Sequence, residues 1–234
     1  MDPTDDLDTL AQRADPDRWL ASRFIPDPDQ RADVVALYAL DHELARVPHV
    51  VTEALMAEIR LTWWREQLEA LLARRGVPGH PVLVALAKVV ARRNLAAEPL
   101  LAMVEARFED IEAEPFADLA ALQAYADGIS GAPLALALAV LGHGDAAALR
   151  PAALAWTVAR LFQSAPERLS KIEGAHAQAL TALGRARPAV AALPVAAFPA
   201  AAHLTLAGPY LKGRAPGDVE KRLRLLGATL SGRV

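Results

Sequence analysis

The sequence predicts an all-α protein with a single domain of roughly eight to ten helices. Three observations predict it. Apolar residues recur at intervals of three and four along nearly the whole chain, and β-branched runs with a period of two are hard to find. Acid-Pro-Asp caps and short Pro/Gly turns punctuate the pattern at helix-length intervals. Alanine, the best helix former, fills 52 of the 234 positions.

The elements follow in order. Residues 1–14 are acidic and are expected to be a flexible N-terminus; Met1 to Asp8 holds four Asp and no basic residue, unlike a secretory or transit signal. Asp15-Pro16-Asp17 caps a short helix that reaches Phe24 and stops at Pro26. Asp27-Pro28-Asp29 repeats the device and opens a helix from about Gln30 to Val47, with Val34, Leu37, Tyr38, Leu40, Leu44 and Val47 as its apolar face; Pro48 breaks it. Thr52 and Glu53 begin a helix that runs to Arg75 and closes at Gly76-Val77-Pro78-Gly79. Further helices span His80-Pro81 to Arg93, Ala96 to Glu112 and Leu119 to Leu141, before the loop Gly142-His143-Gly144-Asp145. Ala147 to Arg168 and Ala175 to Ala186 read as two more, and Pro216-Gly217-Asp218 caps a last one from Val219 to Leu230. The longest apolar tract, Ala189 to Leu211, is interrupted by Pro194, Pro199 and His203; it reads as a buried or surface-docking segment, not a membrane span.

Composition removes several function classes. With no cysteine there is no disulfide scaffold, thiolate–zinc site, iron–sulfur cluster or cysteine nucleophile. A net charge of −3 and a pI near 6.1 give no basic field for a nucleic acid. Phosphate loops, nucleophile elbows and HExxH zinc motifs are absent, and the six histidines are scattered.

Four polar groups stand out. Asp41-His42-Glu43-Leu44-Ala45-Arg46 sits within an otherwise apolar helix; Glu43 and Arg46 suit a surface ion pair, and Asp41 and its neighbours suit a pocket wall. On the helix at 96–112, Glu105, Glu109 and Glu112 share one face, which suits either solvent or a metal-bridged diphosphate. Tyr125, Gly128 and Gly131 place small residues inside a helix, where close packing or ligand approach is needed to offset their cost. Trp63 and Trp64 point to adjacent faces, one for the core and one outward.

At these residues the chain resembles the squalene/phytoene synthase family. The resemblance runs in order through Asp17-Arg18-Trp19-Leu20-Ala21, Leu37-Tyr38-Ala39-Leu40, Glu58-Ile59-Arg60-Leu61 with Trp63-Trp64-Arg65, His80-Pro81-Val82, Val104 to Arg107 with Asp110, Tyr125-Ala126 with Gly128 and Gly131, and Pro209-Tyr210-Leu211. It implies an isoprenoid-synthase-like helical bundle around a central cavity. It also implies pocket candidates at Tyr38, Asp41, Glu43, Arg46, Glu105, Asp110, Tyr125, Gly128 and Gln163.

Members of that family use two Asp-x-x-x-Asp motifs on facing helices to hold Mg²⁺ against a diphosphate. The resemblance places the first motif at Ala45 and His49, with Pro48 between them, and the second at Ser164 and Arg168, with Pro166 between them. None of the four is acidic; of the family's acidic residues, Glu105 and Asp110 are retained. The expectation is therefore a pseudoenzyme with no catalytic residue, no metal and no cofactor. Asp41 to Val47 and Glu58 to Arg65 are moreover similar to a catalytically degenerate branch that includes a mitochondrial complex I assembly factor. That similarity implies partners in complex I assembly, a retained cavity for an isoprenoid or quinone-like lipid, and a cytoplasmic location, peripheral at the inner face of the membrane. The competing expectation is an active Mg²⁺-dependent transferase of farnesyl or geranylgeranyl groups, with a metal site rebuilt from Asp41, Glu43, Glu105, Glu109 and Asp110. A third is a peripheral membrane protein using Ala189 to Leu211 with Lys212, Arg214, Lys221, Arg222 and Arg224.

Overall fold

The computed structural model describes residues 3–50, 53–76 and 78–234, with residues 3–6 in backbone only. The helix start read at Thr52, the turn residue Val77, and Met1 and Asp2 lie outside the described residues.

The fold is all-α. The expected flexible N-terminus is instead helix α1 (Pro3–Ala14). Leu7 and Ala11 lie four apart on one face and are buried, packing α1 against α3, so an acidic composition hid an amphipathic helix. Two aspartate caps act as read. Asp15 accepts hydrogen bonds from the amides of Asp17 and Arg18 to start α2 (Pro16–Ser22), and Asp27 accepts from Asp29 and Gln30 to start α3 (Pro28–Ala45). Pro48 ends the long helix but not the helical path, which continues as the single turn α4 (Val47–Val50). Helices α5 (Ala54–Leu72), α6 (Pro81–Arg93) and α7 (Ala97–Glu112) follow within a few residues of their expected bounds.

The helix expected over Leu119 to Leu141 is split. Helix α8 (Leu119–Ala126) passes into a π-helical turn at Asp127–Gly131 and re-forms as α9 (Ala132–Val140). The extra residue in that turn pushes Gly128 onto α7: a Cβ built there would lie 2.4 Å from Ala106 Cβ and 2.8 Å from the Ala102 carbonyl oxygen. The glycine is thus explained by helix packing.

Helix α10 (Arg150–Ser164) is buried along Ala152–Ala159 and Leu161, and α11 (Ala175–Ala191) lies against it. Helix α11 runs past its expected end at Ala186, with Pro188 inside it. Pro188 and Gly184 are exposed, so the Gly184 carbonyl that loses its amide partner faces water. The apolar tract beyond it takes short turns at Phe198–Ala200 and Ala202–Leu206, then α12 (Ala207–Leu211). From Ala197 to Leu211 it is almost entirely buried, so it is core and not a docking surface. Helix α13 (Asp218–Ser231) ends the fold. Among the described residues, no helix is long and apolar enough to cross a membrane.

Two polar clamps set helix positions. Asp33, 1% exposed on α3, receives Arg92 and Arg93 from the end of α6. Asp17, fully buried on α2, accepts a hydrogen bond from the Tyr210 hydroxyl at 2.5 Å and forms an ion pair with the Lys221 ammonium at 2.6 Å, joining α2 to α12 and α13.

Two glycines give opposite expectations. Gly128→Ala meets backbone that cannot yield and should cost about 1–3 kcal/mol. Gly227→Ala, on α13 with nothing within 4 Å of its Cβ, should gain about 0.5–1 kcal/mol. Urea denaturation midpoints measure both.

Candidate functional site

A polar pocket of about 310 Å³ opens between α2, α3, α7, the π turn and α10. Its floor is a chain of alternating charges. The Asp15 cap fixes the first turn of α2 and sets Arg18 facing α3, where its guanidinium donates to Asp41 Oδ2 at 2.8 Å. Arg107 of α7 donates to Asp41 Oδ1 at 2.7 Å and, through its other terminal nitrogen, to Asp110 Oδ2 at 3.0 Å. Asp110 Oδ1 in turn accepts from Arg168 at 2.6 Å and from the Tyr125 hydroxyl at 2.7 Å. The π turn contributes the Ile129 carbonyl, which accepts from Arg18 at 3.3 Å, and Ser130, which shares a 2.7 Å hydrogen bond with Thr157 of α10.

Burial and charge oppose each other here. Burial pulls the Arg107 guanidinium down, and Asp41 and Asp110 more than offset it, so its pKa ends above the ordinary arginine value. Burial raises the Tyr38 and Tyr125 phenols, so both remain neutral hydroxyls. Arg107 Nε is buried and without a hydrogen-bond partner among the described residues. The upper wall carries His42, Ala45, His49, Arg160 and Ser164. Three of the four positions assigned to the family's acidic motifs, Ala45, His49 and Ser164, therefore face one pocket; the fourth, Arg168, is buried beside it on Asp110.

The expected site residues divide. Tyr38, Asp41 and Tyr125 line the pocket, and Asp110 supports its floor. Glu43 and Arg46 do not line it. Two residues on from Asp41 a helix has turned by about 200°, so Glu43 pairs with Arg46 at 3.0 Å and lines a separate cavity with Trp63, Trp64 and His80. Glu105 is likewise excluded: it is exposed, pairs with Arg65 at 3.0 Å, and with Glu109 borders a larger outer groove of about 810 Å³. Gly128 borders that groove too, packed on α7. Gln163 sits away from the pocket and donates to the Tyr210 carbonyl at 3.3 Å. The five carboxylates of the rebuilt metal site are thus scattered, and among the described residues no three His, Asp or Glu side chains converge on one point. The reading of the tryptophans holds: Trp64 is buried, and Trp63, half-buried, packs edge-on against it at 5.1 Å.

Sequence reasoning missed Arg18, Arg160 and Thr157, and did not single out Arg107 as a partner of Asp41. One signal was available: Arg107 and Asp110 are three apart, on the face of α7 opposite Glu105 and Glu109. The pairing of α2 with α3 left no such mark.

His203 lies behind the pocket, buried against Trp156 at 4.7 Å between ring centres. Burial, reinforced by the nearby Arg18 and Arg160 charges, holds its pKa well below 6.5.

Two tests follow from this geometry. Asp41→Asn leaves two buried guanidiniums without their shared anion and should cost about 3–5 kcal/mol in chemical denaturation, whereas Glu105→Gln, on an exposed pair, should shift it by under about 1 kcal/mol. Below about pH 6.5 the unfolded chain binds a proton at His203 that the folded chain refuses. Stability should therefore fall as pH drops through that region, by at most about 1.4 kcal/mol per pH unit. His203→Phe should show a flatter profile in the same titration.

The comparisons with known proteins agree with this architecture. The structure is similar to squalene synthase HpnC from Alicyclobacillus acidocaldarius (TM-score 0.72, 18% identity, 98% of this chain and 94% of that one). It is also similar to a dehydrosqualene synthase solved in complex with ligand (TM-score 0.74, 14% identity, 98% and 95%). At these identities the likeness is one of fold. In sequence, NADH dehydrogenase (ubiquinone) complex I, assembly factor 6 is 30% identical over 110 residues in Homo sapiens and 32% identical over 110 residues in Rattus norvegicus. Each match spans 47% of this chain and 32% of the relative's length. The family model for squalene/phytoene synthase matches residues 11–171, from α1 to the Arg168 side of the pocket, which is well over half of the chain. The chain belongs to the squalene/phytoene synthase family.

Proposed function

We propose that this protein is a non-catalytic member of its family, acting in the assembly of a respiratory NADH dehydrogenase. One observation carries the loss of catalysis: the pocket's central carboxylate, Asp41, is held on both oxygens by Arg18 and Arg107. Around it, the positions that the family fills with aspartates hold Ala45, His49, Ser164 and Arg168. This donor set does not fit Mg²⁺, a hard cation that takes oxygen ligands and in such sites is anchored by carboxylates. The Lewis-acid contribution to diphosphate departure, several kcal/mol, goes with it. No metal or cofactor enters the proposed function. Similarity to the assembly factors supports the assembly role and complex I assembly proteins as partners.

A second reading, an isoprenoid or quinone-like lipid as ligand, is favoured by the outer groove. That groove is larger than the polar pocket and is walled by Ala102, Ala106, Ala121, Ala124 and Leu134. The pocket itself, ringed by charge, suits no polyisoprenoid tail.

Incubation with farnesyl or geranylgeranyl diphosphate and Mg²⁺ should release no diphosphate above the protein-free rate. Sustained release would restore the transferase reading. Deletion of the gene should lower NADH dehydrogenase activity and subunit content in membranes, and unchanged values would remove the assembly role. For the second reading, a short-chain quinone should quench tryptophan fluorescence saturably, and Ala124→Phe, an exposed position in the groove, should weaken the effect.

A further inference from the structure

Helix α13 is apolar on two opposite faces. Leu225 and Ala228 point inward and are buried, and Lys221 reaches the buried Asp17. On the other side, Val219, Leu223, Leu226 and Leu230 are 72%, 64%, 44% and 80% exposed. Their spacing of four, three and four keeps them within a stripe about 60° wide at 100° per residue, opposite the packed face. Packing within the chain gives these four side chains no role.

Charge surrounds the stripe. Residues 212–234 hold six Lys or Arg against two Asp or Glu, in a chain whose net charge is −3, and of those six all but the inward-facing Lys221 are available to the surface around the stripe. Arg222 flanks the stripe, is exposed, and has no ionic partner among the described residues. On the other flank, Arg224 joins Arg187, Lys212 and Arg214 in lining one cavity of about 250 Å³. Glu220, whose carboxyl is held down to about 2 by hydrogen bonds from Arg214 and Arg224, is the acid paired there.

We infer that α13 is a membrane-docking helix that lays its Val219–Leu230 stripe into the boundary of an anionic lipid surface. Two arguments choose this occupant. The excess cations beside the stripe complement anionic headgroups, each worth a measurable gain in binding near such a surface. A second copy is the poorer fit: its stripe would pair with this one, but four partly exposed aliphatic side chains fall well short of the roughly 800 Å² that each partner of a stable complex buries. The surface differs from the one expected from the sequence, since the apolar tract at Ala197 to Leu211 is core. It is also independent of the pocket and of the assembly role.

Co-sedimentation of the full chain with vesicles tests it. Binding should be seen with vesicles of phosphatidylcholine containing about 30 mol% phosphatidylglycerol, and should weaken with salt. Pure phosphatidylcholine should bind far less. The double variant Leu223→Glu/Leu226→Glu, both exposed, should lower partitioning at least about tenfold while leaving the circular dichroism melt unchanged. Leu180→Glu, an exposed leucine on α11, should bind as the unaltered chain does. Arg222→Glu should give an intermediate loss. Absence of binding to the anionic vesicles, or full binding by the double variant, overturns the inference. So does a dimer in sedimentation velocity that the double variant dissociates while vesicle binding is absent.

Discussion

The alternating chain Arg18–Asp41–Arg107–Asp110–Arg168 is the interaction on which the arrangement of the pocket depends. It draws one charged group from α2, one from α3, two from α7 and one from the turn after α10, and each carboxylate is shared between guanidiniums. Ion pairs of this kind contribute little net stability against a well-packed apolar alternative, because desolvation offsets most of the attraction. Their effect is on specificity: removing one member strands its neighbours, so the helices are held in one mutual register. The Tyr125 hydroxyl and the Ile129 carbonyl extend the same logic to α8 and the π turn.

The same chain of charges sets what the carboxylates of this pocket are free to do. A metal cradle needs carboxylates that are free to coordinate and that face one another across the cavity. Here the carboxylates nearest that cavity are consumed in holding helices together, and the facing wall presents two imidazoles, a methyl, a guanidinium and a hydroxyl. Structural and catalytic uses of acid compete for the same few oxygens. This pocket is organised around the first.

Much of the fold was legible in the sequence, because the helix signals are local. Asp15 and Asp27 announce two N-caps, the 3.6-residue period sets the faces, and the Pro/Gly clusters place the turns. The failures were of two kinds. Helix α1 was misread because its acidic residues obscured Leu7 and Ala11, and α11 was ended at Ala186 although it runs on through the exposed Pro188 to Ala191. The site was less legible, since it rests on which face of one helix meets which face of another. Tyr38, Asp41 and Tyr125 line the pocket. Glu43, Arg46 and Glu105 lie within a turn or two of true members and point elsewhere, a distinction that a list of neighbouring residues does not carry.

The buried Asp17 has a consequence for where this molecule can be divided. The stretch recognisable as squalene/phytoene synthase ends at residue 171, yet the hydroxyl and ammonium that neutralise Asp17 come from Tyr210 and Lys221. A chain cut at the end of the recognisable stretch would leave a fully buried carboxylate with Arg160 at 3.8 Å and discard its two nearest partners. The limit of detectable kinship is therefore not a limit of folding. The last sixty or so residues, beyond the stretch the family model matches, complete the electrostatics of the first helices.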